Sequence, residues 1–189
     1  MKAWKHFCTI TKHRMLVCRH CFRVGLYWQG LTHDLSKYSW QEFRSGAKYY
    51  QGTRSPNSRE RELLGYSAAW MHHKGRNKHH FEYWTDISLV TKRYEAVAMP
   101  KKYLVEMVMD RIAACKTYHG ASYRDGDALE YLQHAIEARE STLMHPLTMR
   151  ELLYVLTMLR DKGEAETFRF LRGALKHKTP ILNETEEPQ

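Results

Sequence analysis

Apolar residues recur at three- and four-residue intervals along most of the chain, and that spacing predicts helices almost throughout. Residues 3 to 28 carry Trp4, Phe7, Cys8, Met15, Val17, Cys18, Phe22, Val24 and Leu26 at broadly helical spacing. Ser39-Trp40-Gln41-Glu42 reads as a capping box, with Ser at the N-cap and Glu at the third helical position, opening a helix to about Tyr50. Residues 51 to 58 (QGTRSPNS) form a loop punctuated by Gly52 and Pro56. Asn57 with Glu60 marks another start, with Leu63, Leu64, Ala68 and Met71 as its buried stripe and Gly75 as its stop. Pro100 fits the first turn of a helix running to about Tyr118 and closed by Gly120. Asp127 with Glu130 caps a helix to about Leu143. Pro146 then breaks the chain, Thr148 with Glu151 opens the next helix, and Gly163 separates it from a last one ending near His177. Residues 76 to 99 are harder to read, and 87 to 90 fits a short strand or a piece of helix equally well. The pattern therefore predicts one all-α domain of about six to eight helices over residues 1–178, then an acidic, proline-containing tail at 179–189 expected to fray. No internal repeat interrupts it.

Composition narrows the class. Of 189 residues, 43% are hydrophobic and 12% aromatic, enough for a real core and against disorder. Ten Gly and five Pro disfavour a turn-rich all-β sandwich. His6, Lys12, His13 and Arg14 interrupt the basic N-terminal segment, so it does not read as a secretory signal. No apolar run reaches the length of a membrane span, so no membrane partner is expected. Cytoplasmic, reduced thiols are the expectation for Cys8, Cys18, Cys21 and Cys115. Cys18 and Cys21 form a C-x-x-C, but no second pair follows at zinc-site spacing, and they read as small buried apolar residues. The net charge of +9 suits an anionic partner, a phosphate-bearing small molecule or a nucleic acid, although its scatter along the chain also describes a solvated basic surface.

The twelve histidines divide by position. His6, His13 and His20 are spaced by seven and share one helical face. His119, His134, His145 and His177 are single and read as surface residues. His33 and Asp34 are adjacent at the end of an apolar approach, and on a helical turn both can point at one metal; imidazole with carboxylate suits Zn, Fe, Mn or Ni. Asp110 lies on an otherwise apolar helical face, where a carboxylate must be paired, hydrogen-bonded or metal-bound. His72, His73, His79 and His80 crowd into nine residues across an expected helix end.

A His on an early helix, a His-Asp pair and a distant Asp in an all-α chain resemble the HD-domain metal-dependent phosphohydrolases, over residues 13 to 110. The segments HDLSKY (33 to 38) and AWMHHKGRNKHHFEYW (69 to 84) also resemble a DUF5662-like family of uncharacterised bacterial and phage proteins, over most of the chain. The first resemblance implies an HD-domain-like helical bundle holding one or two divalent ions, Mn, Fe, Ni, Zn or Mg. It implies His13, His33, Asp34 and Asp110 as ligands, with His20 competing for the position of His13. Twenty residues before the His-Asp pair leave room for a helix and a turn, which favours His13. His73 with His79 or His80 can complete a second metal or act in support of the first. The implied activity is hydrolysis of a nucleotide or other phosphate ester by a metal-activated water. Lys37, Glu42 and Glu82 are then candidate catalytic groups, and Lys74, Arg76 and Asn77 candidate substrate donors. The competing reading is a basic nucleic-acid- or partner-binding protein with a structural or vestigial metal site, in which Trp70, Tyr83 and Trp84 offer a stacking surface.

Overall fold

The computed structural model describes residues 1–140 and 142–182. Its order is α1 (Lys2–Val24), α2 (Tyr27–Thr32), α3 (Trp40–Tyr49), α4 (Pro56–Leu64), α5 (Ala68–Lys74), β1 (Thr85–Ile87), β2 (Tyr94–Ala96), α6 (Lys101–His119), α7 (Asp127–Glu137) and α8 (Pro146–Lys176). The fold is an all-α bundle with one small antiparallel hairpin, in which Thr85 pairs with Ala96 and Ile87 with Tyr94. The hairpin resolves the ambiguous stretch: the strand is 85–87, and 88–93 is its turn. Among the described residues, no helix is long and apolar enough to cross a membrane.

The helix ends follow from local chemistry. The expected helix over 3 to 28 breaks at Gly25, whose φ of 88° only glycine adopts cheaply. Leu26 N–H donates back to Cys21 O (2.8 Å) and Gly25 N–H to Phe22 O (3.2 Å), closing α1 so that α2 folds back beside it. Gly30 of α2 sits where a Cβ would lie 3.0 Å from Cys21 Cβ, so Cys18 and Cys21 serve as a thin seat for a neighbouring helix. The expected helix after Asn57 is two helices. Ser55 Oγ accepts from Asn57 N–H and caps α4, Gly65 ends it, and Ser67 Oγ accepts from Trp70 N–H (3.0 Å) to cap α5. Leu63, Leu64 and Met71 are consequently exposed rather than a buried stripe, while Ala69 and His73 are buried. Helix α7 stops at Glu137 and not near Leu143, because Arg139 turns to φ 58° and Glu140 N–H closes on Ala135 O (2.8 Å). His145 Nδ1, not Thr148, caps α8; Thr148 is buried, and its Oγ1 accepts from Met99 N–H (2.9 Å). Gly163, at φ 76° and ψ 173°, kinks α8 where the sequence places a separation.

The apolar core lies where α1, α6, α7 and α8 meet. Val17, Leu104, Ile112, Leu132, Leu152, Leu156 and Leu171 are all fully buried in it. Ile181 is buried there as well, and Lys101 Nζ donates to Ala174 O (3.3 Å) and to Thr179 O, so residues 179 to 182 lie against the bundle instead of fraying. The rest of the acidic tail, 183–189, is outside the described residues. The buried face of α1 is His6, Ile10, His13, Val17, His20, Cys21 and Val24, while Trp4 and Met15 point outward. Val17, Cys21 and Val24 of that face feed the core, and His13 feeds a polar centre.

Candidate metal centre

Four parts of the chain converge on one polar centre. Helix α1 supplies His13, the turn after α2 supplies His33 and Asp34, α5 and the loop beyond it supply His73, His79 and His80, and α6 supplies Asp110. His33 and Asp34 do not sit on a helical turn. His33 caps the end of α2 with extended backbone, and Asp34 adopts the left-handed conformation at φ 53°. Successive extended residues point to opposite sides; the left-handed turn brings this pair to the same side, and aspartate tolerates it better than most residues. Arg14 braces the turn, with Nε donating to His33 O (2.7 Å) and Nη2 to Leu31 O (3.1 Å).

The converging side chains fall into two groups that share Asp34. His13, His33, Asp34 and Asp110 offer ligand atoms within 4.8 Å of one another, and so do Asp34, His73, His79 and His80. Asp34 Oδ2 faces His33 Nε2 (3.4 Å) and His13 Nε2 (3.9 Å), while Oδ1 faces His73 Nε2 (3.2 Å) and His79 Nε2 (3.4 Å). Asp110 Oδ1 lies 2.9 Å from His13 Nε2. Both Asp34 oxygens and the Nε2 atoms of His13, His33, His73, His79 and His80 are sealed from solvent, yet none makes an aligned hydrogen bond. Buried polar atoms are normally satisfied, because leaving one bare costs about 1–3 kcal/mol. So many unpartnered nitrogens turned toward the two oxygens of one carboxylate fit a centre that could hold metal ions.

The atoms behind the imidazoles fix their direction. Glu106 Oε1 accepts from His33 Nδ1–H (3.0 Å) and lies 3.3 Å from His79 Nδ1, which accounts for the third convergent group, His33, His79 and Glu106. Glu42 accepts from His73 Nδ1–H and His72 Nδ1–H, each at 2.7 Å. An ionised carboxylate only accepts, so each of these Nδ1 atoms carries a proton; against burial, Asp34 raises His33 and His73, and a metal ion would take the place of the proton that Nε2 then holds. Glu106 is one helical turn before Asp110, which places both carboxylates on one face of α6.

The electrostatics describe a tightly coupled cluster. Burial alone would push Asp34 up, but His33, Lys37 and His73 hold it well below the usual carboxylate range. Asp110 is likewise raised by burial and brought well below that range by His13 and His33. Burial lowers His80, with His79 and His73 adding to the effect, so its imidazole stays neutral as a ligand must be. Lys37 Nζ lies 2.6 Å from Asp34 Oδ2 and supplies a fixed positive charge beside the centre.

A cavity of about 730 Å³ opens onto this cluster. His13, Lys37, His73, His80 and Asp110 line it, as do Trp70, Glu82, Arg111, Tyr118, Tyr131 and Leu132. That volume suits one small molecule.

The other sequence candidates are placed as follows. His20 belongs to no ligand group; its ring packs edge-on to Phe168, with Nδ1 3.4 Å from Met109 O. Glu42 has both oxygens engaged by histidines, so the Glu half of the expected capping box is diverted to the centre. Ser39 Oγ still accepts from Glu42 N–H (3.4 Å). Glu82 faces the cavity with Oε2 sealed and unpartnered, and burial pushes its carboxyl above the usual range. Lys74 and Arg76 do not line the cavity; Arg76 is exposed and its Nη1 donates to His72 O (3.2 Å). Asn77 is also outside the lining, and its Nδ2 donates to Ser36 Oγ (2.9 Å) and His73 O (2.8 Å), bracing the loop that carries the histidines. Trp84 packs against the core beside Tyr103, and Trp70 faces the cavity, so the aromatics do not make one open platform. No cysteine enters a candidate metal group among the described residues. Sequence reading missed Glu106 and Arg111. The spacing of Glu106 four before Asp110, inside an apolar run, is the signal that points to the first.

A family model described as a family of unknown function, DUF5662, matches residues 2–158, which include every converging side chain. No curated protein and no solved structure matches the chain.

Proposed function

The chain belongs to the DUF5662 family, and we propose that it is a metal-dependent phosphohydrolase acting on a nucleotide or other phosphate ester, with two candidate metal positions that share Asp34. The observation that carries this reading is the set of unpartnered, buried ligand atoms facing the two oxygens of one aspartate. His13, His33, Asp34 and Asp110 would hold one ion, and Asp34, His73, His79 and His80 the other. Imidazoles outnumber carboxylates and no thiolate is present, which favours Fe, Mn, Ni or Zn over Mg. Metals in such a site supply an activated water and polarise a phosphoryl oxygen.

The protein's own groups account for the remaining needs. Glu42 and Glu106 lock the imidazoles in one orientation, so little reorganisation is required at the moment of reaction. Lys37 brings positive charge to the cavity lining, where a substrate phosphate would lie. Glu82 keeps its proton more readily than an exposed carboxyl and opens onto the same cavity, so it is placed to protonate a leaving group. The net charge of +9 favours an anionic substrate.

Chelator-stripped protein, reloaded separately with Mn, Fe, Zn or Mg, should be assayed on nucleoside mono-, di- and triphosphates and on p-nitrophenyl phosphate. Hydrolysis that depends on metal and disappears in His33→Ala is the expected result. A fully loaded wild-type protein that hydrolyses none of them would overturn the reading.

A further inference from the structure

The cavity is lined by a cation that makes no ion pair within 4.0 Å among the described residues. Arg111 follows Asp110 on α6 and lines the cavity, and its Nε and Nη1 are sealed from solvent with no hydrogen-bond partner. The other arginines with assigned contacts behave differently. Arg14 donates to backbone carbonyls, Arg54 and Arg59 pair with Glu62, and Arg23 pairs with Glu164. Arg111 has no carboxylate within 4.0 Å among the described residues, and its guanidinium carbon lies 5.9 Å from the Tyr131 ring centroid. Lys37, another cation lining the cavity, is already tied to Asp34.

A guanidinium stays charged in a protein and presents its donors in a planar fork that matches two oxygens of one anion. Nε–H and Nη1–H lie on different edges of that plane, both buried and unmet, so either edge is completed by an acceptor that the described residues do not provide. Ala114, one turn further along α6, and Leu132 give the same cavity apolar lining.

We propose that Arg111 is an oxyanion-recognition site, holding a phosphate or carboxylate of a small organic substrate at an edge of its guanidinium while the rest of the molecule lies against the apolar wall. The inference deepens the phosphohydrolase reading and rests on it for what happens at the metals, but the anion contact itself needs no metal. Arg111 is a binding residue in this scheme, and Glu82 remains free to act on the leaving group.

Phenyl phosphate, benzoate and inorganic phosphate should be titrated calorimetrically into full-length protein, both chelator-stripped and metal-loaded. Wild type, Arg111→Lys and Arg111→Met are compared, with helical content and metal content recorded for each. Phenyl phosphate or benzoate should bind both forms of wild type, and the tighter of the two names the oxyanion. Arg111→Met should weaken that binding about 10- to 100-fold at unchanged metal content, and Arg111→Lys should recover part of it. Equal affinity in wild type and folded Arg111→Met overturns the proposal, whatever the hydrolysis assay shows. If Arg111→Met does not fold, Arg111→Lys decides alone, and wild-type affinity in that variant overturns the guanidinium contact. Binding lost with Arg111 in a protein that hydrolyses no phosphate ester would support the anion site and leave the phosphohydrolase reading as the one that failed.

Discussion

Helix α6 belongs to two regions that handle burial in opposite ways. One side carries Leu104, Val108 and Ile112 into a core where each is fully buried beside Leu152, Leu156 and Leu159. The other carries Glu106 and Asp110 into a centre where buried nitrogen and oxygen atoms point at one another without hydrogen bonds. In the core, every atom is matched by a neighbour, and removing one leaves a void. In the centre, the carboxylates hold the imidazoles in place, and the inward atoms stay bare. The first arrangement stabilises the fold by itself; the second gathers groups that could hold a metal ion.

The sharpest way to break this contrast is at Asp34, the one residue common to both ligand groups. Asp34→Asn should bring metal content down to background in elemental analysis. His13→Ala touches only the first group and should leave the second occupied. Equal metal content in wild type and Asp34→Asn would remove the shared-carboxylate account.

A core change should do the reverse. Leu156→Ala deletes buried methyl groups at a site with no exposure and should cost about 3 kcal/mol in urea unfolding. Metal bound per folded molecule should be unchanged. A parallel loss of metal would mean that the two regions are not separable.

How much of this was legible in the residues varies by region. The pattern led to an all-α fold, and the structure is one, with a hairpin that the pattern left open. The first helix shows why the detail escaped. Apolar Trp4 and Met15 look like core residues by type but are exposed, because the face of α1 turned inward is the one bearing His6, His13 and His20. A periodicity count scores histidine as polar and so assigns the wrong face. His13, His33, Asp34 and Asp110 stood out by residue type and resemblance, and the fold brings them together. The left-handed turn that aims Asp34 is invisible to periodicity, since it depends on a single φ angle. Lys74 and Arg76 misled for another reason: neighbours along a short helix end face different ways, and Arg76 turns outward to His72 O. Arg111 was hidden because an arginine inside a helix normally reads as a solvated surface residue.

A smaller effect sharpens the role of the supporting carboxylates. Glu106→Gln keeps the shape but removes the charge behind His33 and His79. Metal affinity, followed by chelator competition, should fall about 10- to 100-fold, with little change in unfolding midpoint for the metal-free protein. No change in affinity would mean that Glu106 is a packing residue.

The smallest effect lies on the core side. Glu164 is raised by burial, but Lys116 and Arg23 bring it below the usual carboxylate value, and it ties α8 to α6 and α1. A depressed carboxylate contributes stability that is present above its unfolded pKa, about 4.3, and is lost as pH falls through its folded value. Glu164→Gln should therefore cost about 1 kcal/mol at neutral pH, and the difference from wild type should shrink toward acid. A difference that grows in acid would contradict the assignment.

The central claim is that the polar centre is a metal site with two positions. It is tested most directly by elemental analysis of wild-type protein purified without added metal, paired with thermal unfolding before and after chelator treatment. The account predicts two transition-metal ions per chain and a lower unfolding temperature once they are removed. Metal content near zero, together with an unfolding temperature that neither chelator nor added Mn, Fe, Ni or Zn shifts, would contradict it.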